Sequence, residues 1–183
     1  MLALEPIRVA NNGTGFEYAN SATPFRPWGF NYDHDRSGRL IEDYWNADWD
    51  DVESDFAEMR ALGANVIRIH LQFGKLMKDP ATADPHALTR LQELVALAER
   101  TQLYLDLTGL GCYHKSDTPA WYDELSEAQR WAAQAVFWKA ISRAVARSPA
   151  VFCYDLMNEP VVPGGRRNAR DWLGPPFAGK HFV

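Results

Sequence analysis

The sequence predicts an α/β protein in which a β-hairpin is followed by parallel strands alternating with helices. Two observations carry this. Apolar runs of strand length recur along the chain with helical periodicities between them, the pattern of right-handed βα units. Each of the later runs also has one apolar face and one face bearing ionisable groups. A doubly wound sheet covered by helices on both sides would be apolar on both. A barrel whose interior opens onto a polar site accounts for the asymmetry.

Ile7 to Ala10 and Phe16 to Tyr18, joined by Asn11-Asn12-Gly13-Thr14-Gly15, form the hairpin. Phe25 to Tyr32 is the first barrel-type strand. Trp49 to Leu62 is a helix with Val52, Phe56, Met59 and Leu62 on one stripe, stopped by Gly63. Asn65 to Leu71 is the second strand. Asp84-Pro85 reads as an N-cap with proline at the first helical position, opening a helix through Leu88, Leu91, Leu94, Val95 and Ala98. Leu103 to Thr108 is the third strand. Ser126 and Gln129 fit a capping box for a helix through Ala133, Val136, Phe137, Ala140, Ile141 and Val145, ended by Ser148-Pro149. Val151 to Asn158 is the fourth strand, and residues 161–183 read as a long loop rich in Gly, Pro and Arg.

Successive strand side chains alternate faces. Ile67, Ile69 and Leu71 oppose Arg68 and His70. Leu103, Leu105 and Leu107 oppose Tyr104, Asp106 and Thr108. Phe152, Tyr154 and Leu156 oppose Cys153, Asp155, Met157 and Glu159.

The 183 residues are 46% hydrophobic and 23% charged, an ordinary globular balance. A net charge of -5 argues against nucleic acid or an anionic membrane as partner. No apolar run is long enough to span a bilayer, and no signal peptide is visible at the start, which leaves the compartment open. Cys112 and Cys153 do not suggest a disulfide framework. No Gly-x-Gly-x-x-Gly follows a strand, which disfavours a Rossmann enzyme. His34, His70, His86, His114 and His181 lack zinc-ligand spacing, so neither metal nor cofactor is expected. The seven Trp suit either core packing or stacking on sugars.

The chain is organised around Tyr154-Asp155-Leu156-Met157-Asn158-Glu159-Pro160. Pro160 has no N–H and restricts the residue before it to extended geometry, so the strand stops with Glu159 at its end. This stretch resembles the acid/base motif of glycoside hydrolase family 5 and its wider retaining clan, and Pro27 to Tyr32 resembles the family's opening strand. The resemblance implies a (β/α)8 TIM barrel. The chain would cover its first half, about four βα units over residues 1–183, with residues 1–24 as hairpin and lead-in. It implies that Glu159 is the general acid/base, that Asn158 contacts the sugar 2-hydroxyl, and that Arg68 orients a catalytic carboxylate. The nucleophile Glu, on the family's seventh strand, is then outside this chain.

The expected substrate is an oligo- or polysaccharide with β-linked glucose or mannose, or a glycoconjugate. The expected partner is a second copy or a complementing C-terminal half-barrel, which would close the open edges. Family members are often secreted. Asn31, Asp33, His34 and Asp35 follow the first strand and are candidates to meet sugar hydroxyls, with a solvated loop equally expected for His34 and Asp35, and Trp28, Tyr113, His114 and Trp121 are candidate subsite residues. The third strand departs from the family by ending Asp106-Leu107-Thr108-Gly109, with Thr108 where the family commonly has His. Alternatives from the residues themselves stay open. A merely structural pairing of Arg68 with Asp155 or Asp106, a capping role for Glu159 or its pairing with Arg68, and a non-catalytic half-barrel that binds sugar or is purely structural fit the same pattern.

Overall fold

The computed structural model describes residues 3–111 and 115–158. The hairpin forms as read. β1 (Ile7–Val9) and β2 (Phe16–Tyr18) pair antiparallel, and β3 (Pro24–Phe25) adds to β2. Phe25 therefore belongs to this small sheet. The strand expected from Phe25 begins only at Gly29, because the side chain of Asn65 occupies the intervening backbone. Its Oδ1 accepts from Trp28 N–H at 2.8 Å and its Nδ2 donates to the Arg26 carbonyl at 2.8 Å.

Three βα units and a fourth strand follow. β4 (Gly29–Tyr32) leads to a single turn, α1 (Ile41–Tyr44), and then to α2 (Trp49–Ala61). β5 (Val66–Gln72) leads to a second single turn, α3 (Phe73–Leu76). A ribbon of β6 (Met77–Asp79) and β7 (Thr82–Ala83) and then α4 (Pro85–Thr101) come next. β8 (Tyr104–Gly111) leads through α5 (Ala120–Asp123) to α6 (Glu127–Val145), and β9 (Val151–Asp155) completes the sheet. The four long strands lie parallel in the order β4-β5-β8-β9. No described helix is long and apolar enough to cross a membrane.

The caps match the sequence. Asp84 Oδ1 accepts from the N–H groups of His86 and Ala87 at the start of α4. Ser126 and Gln129 close a reciprocal box on α6. Gly63 takes φ +93° just beyond α2, a left-handed conformation glycine adopts without strain. Leu62 is 59% exposed, because α2 ends at Ala61 and its apolar stripe goes no further.

The core lies between sheet and helices. Ile67, Ile69, Leu71, Leu105 and Leu107 are fully buried with Val52 and Phe56 of α2, Leu91 and Leu94 of α4, and Phe137 and Ile141 of α6. Each such side chain contributes about 1.5–3 kcal/mol relative to exposure. Register aligns the opposite face, matching Asn31 with Arg68, Arg68 with Asp106, and Asp106 with Cys153.

The ladder between β8 and β9 skips one residue, since Leu105 pairs with Val151 and Asp106 with Cys153. Phe152 is the extra residue of this bulge. It leaves the helix-facing side expected for it and packs on Phe16 at 4.9 Å and Phe25 at 5.5 Å between ring centroids. Leu156 is likewise not in the core. It is 64% exposed, because β9 ends at Asp155 rather than at Asn158.

Two glycines sit where no side chain fits. A Cβ on Gly29 would lie 1.6 Å from the Val66 carbonyl oxygen, and one on Gly109 would lie 2.2 Å from Cζ2 of Trp138 on α6. At Gly29 the obstacle is backbone of the neighbouring strand, which cannot rotate away. Gly29→Ala is therefore expected to lower stability by at least about 1–3 kcal/mol, read as a shift of the urea midpoint at unchanged slope.

Candidate active site

Strand alternation and parallel register bring Asn31 of β4, Arg68 and His70 of β5, Asp106 and Thr108 of β8, and Cys153 and Asp155 of β9 onto one face. Arg68 is the hub. Its Nη1 donates to Asn31 Oδ1 at 3.3 Å and to His70 Nε2 at 2.8 Å. Its Nη2 donates to Asp155 Oδ2 at 2.7 Å and to Asn158 Oδ1 at 3.0 Å. Nε lies 3.8 Å from Asp106 Oδ2. Thr108 Oγ1 donates to the same Asp155 oxygen at 3.2 Å. The planar fork thus reaches both edge strands of the sheet and the bend that carries Asn158. Arg68 pairs with Asp155 directly and faces Asp106 more loosely.

Burial shapes the electrostatics of this face. Desolvation raises the Asp106 carboxyl above its usual range, against the lowering effect of Cys153 and Arg68, and Oδ1 has no hydrogen-bond partner among the described residues. Burial, with Asp106 beside it, pushes the Cys153 thiol up to about 12, so Cys153 stays a thiol. Burial followed by the Arg68 charge holds His70 down at about 4, so the imidazole is neutral at neutral pH.

The structure brings Asn31, Arg68 and Asn158 together. Trp28 is placed elsewhere. It precedes β4, shares the outward side with Phe30 at 5.7 Å between ring centroids, and is 55% exposed. Trp121 of α5 packs on Phe73 and Tyr122 in an aromatic cluster that also includes Phe137. Asp35 builds its own loop, accepting from the N–H groups of Ser37 and Arg39 and from Arg39 Nε. Glu159, Tyr113 and His114 lie outside the described residues.

Sequence reasoning undervalued His70, which is 3% exposed. The available signal was its spacing of two from Arg68, which puts both on one strand face. Sequence reasoning also missed Glu42, buried by the short turn α1. Glu42 accepts from the backbone N–H of Gln72 at 2.8 Å and from Gln72 Nε2 at 3.2 Å.

Fold and site together define a βα-barrel protein whose charged interior lies toward the carboxyl ends of the strands, where such barrels keep their chemistry. The family model for cellulase, glycosyl hydrolase family 5, matches residues 17–173, and the chain belongs to that family, whose fold is the (β/α)8 barrel. Three similar solved structures agree. The first is an exo-β-1,4-mannosidase from Opitutaceae bacterium strain TAV5, with TM-score 0.63 and 17% identity over 79% of this chain and 27% of that one. The second is a GH5_18 protein from Bifidobacterium longum subsp. longum in complex with Manβ1-4GlcNAc, with TM-score 0.59 and 19% identity over 69% of this chain and 31% of that one. The third is a β-mannanase from the blue mussel Mytilus edulis, with TM-score 0.60 and 15% identity over 86% of this chain and 46% of that one. The chain spans less than half the length of each. No curated protein matches it.

Glu42 yields a pH prediction. Burial pushes its carboxyl up to about 7 from 4.5, so the folded state holds a proton that the unfolded chain has already released. Stability is then lost as pH rises from 4.5 through about 7. Glu42→Gln removes this loss. Thermal melts are expected to show the variant gaining on the wild type between about pH 5 and about pH 8.

Proposed function

We propose that residues 1–183 belong to the catalytic domain of a retaining glycoside hydrolase, with residues 1–24 as hairpin and lead-in and with Glu159 as general acid/base. The observation that supports this most is the grip of Arg68 on Asn158, the residue before Glu159, at 3.0 Å. Because Oδ1 of Asn158 accepts from Arg68, its amide N–H groups point their donor capacity elsewhere, as contact with a sugar 2-hydroxyl requires. Asn31 is held through its Oδ1 in the same way.

In this reading the protonated Glu159 gives its proton to the glycosidic oxygen as the bond breaks. It then takes a proton from the water that releases the glycosyl-enzyme. The nucleophilic carboxylate, about 5–5.5 Å away, comes from outside the described residues. Asp155 and Asp106 do not take that role, since Asp155 lies four residues before Glu159, lower on its strand, and Asp106 lies deeper still, opposite Cys153. The substrate class is β-linked glucan, mannan or glycoconjugate.

β4 and β9 are the two edges of the described sheet. A barrel has no free edges, so we propose that both pair with further strands, whether from a second copy, from a complementing half-barrel or from the rest of a longer domain of which this chain is a fragment. Light scattering is expected to give a mass above the 20.7 kDa of one chain, with a cooperative melt. A monomer that melts without cooperativity means that the missing half is required for folding and that the glycosidase reading describes the parent domain.

The catalytic reading is tested with β-linked gluco- and manno-oligosaccharides and with Manβ1-4GlcNAc. Glu159→Gln is expected to lower turnover by at least about 100-fold with the melt unchanged. Turnover that survives the substitution removes Glu159 from the chemistry, and a folded assembly inert toward every substrate favours the sugar-binding or structural reading.

A further inference from the structure

We propose that His70 is a positioning residue for Arg68, the neutral acceptor that fixes one arm of the guanidinium fork so that the other arm meets Asp155 and Asn158. What the fork serves rests on the glycosidase reading. The geometry of the fork does not.

A guanidinium can only donate hydrogen bonds. The 2.8 Å contact between Arg68 Nη1 and His70 Nε2 therefore requires a lone pair on Nε2, which puts the imidazole proton on Nδ1. An imidazolium would present an N–H to Nη1 and set a second positive charge against it. The imidazole is 3% exposed, and its ring is held on the same strand face as Arg68. Among the described residues, the other titratable groups acting on it are Asp33 and Asp155, which favour protonation, and His34, which opposes it with Arg68. Burial outweighs the two carboxylates and keeps the ring neutral.

Without this acceptor Nη1 keeps, among the described residues, only Asn31, at 3.3 Å, the longest bond in the set. The flip about Nε–Cζ that exchanges the two Nη groups would then lose one of its restraints, with Asp155, Asn158 and Asn31 left to hold the fork. The bonds from Nη2 to Asp155 and Asn158 depend on the plane of the fork. His70 thus acts on Asn158, and on Glu159 after it, through Arg68 rather than by touching substrate.

The test is run on the 183-residue chain in whichever assembly it forms. Long-range ¹H–¹⁵N spectra are expected to show His70 as the neutral Nδ1–H tautomer at neutral pH, and Arg68 to give separate Nη resonances from a fork that does not rotate. His70→Gln, which retains an acceptor, is expected to keep those resonances and to stay within about threefold of wild-type kcat/KM. His70→Leu is expected to merge them and to lower kcat by about 10–100-fold with little change in KM. Both variants should melt cooperatively. A His70 that titrates near its ordinary value, or a His70→Leu variant with wild-type Arg68 resonances, overturns the proposal. Should the wild-type chain turn over no glycan, the glycosidase reading falls while the tautomer and the Arg68 resonances still decide the role of His70. Should His70→Leu fail to fold, the wild-type tautomer and His70→Gln decide it.

Discussion

The polar face depends on one constraint, that a half-buried guanidinium has donors and no acceptors. Every neighbour within reach of Arg68 must therefore offer a lone pair. The structure meets this with two amide oxygens, a carboxylate and a neutral imidazole, on Asn31, Asn158, Asp155 and His70. These partners come from both edge strands, from the strand of Arg68 itself and from the bend beyond β9. A slip of one residue in any ladder would turn that strand's acceptor into the helix layer. The fork and the sheet register thus specify each other.

Much of this was legible beforehand because it is periodic. The order of strands and helices, both helix caps and the ionisable face all follow from alternation or from spacing along helices. The parts that were not legible are aperiodic. The single turns α1 and α3 and the β6–β7 ribbon are too short to carry a period. The bulge at Phe152 breaks the alternation by one residue, and no local residue type announces it. Trp28 shows the same limit differently. The residue type suited a sugar platform, but its parity with Phe30 turns it outward, away from the face of Arg68.

The site shows where sequence spacing is strong and where it is not. Asn31 and Arg68 converge because strand register aligns them, and the bend after β9 brings Asn158 to the same guanidinium, although 37 and 90 residues separate the partners. His70 is indistinguishable in the sequence from an ordinary strand histidine because its neighbours are decided by tertiary contacts. Its neutrality comes from burial and from the adjacent cation, and neither is visible in a linear string. Glu42 is similar, since only the docking of a single helical turn against β5 takes its carboxyl out of water.

The close approach of Gly109 to the Trp138 ring has a consequence for how this sequence can drift. The indole fills the space that a side chain at position 109 would need. It also lies edge-on to Phe137 and Tyr154, so it is fixed from three sides. A larger residue at 109 is tolerated only with a smaller one at 138, and the reverse change leaves a void beneath α6. Across diverged relatives these two positions should behave as one inherited character, changing jointly or staying still.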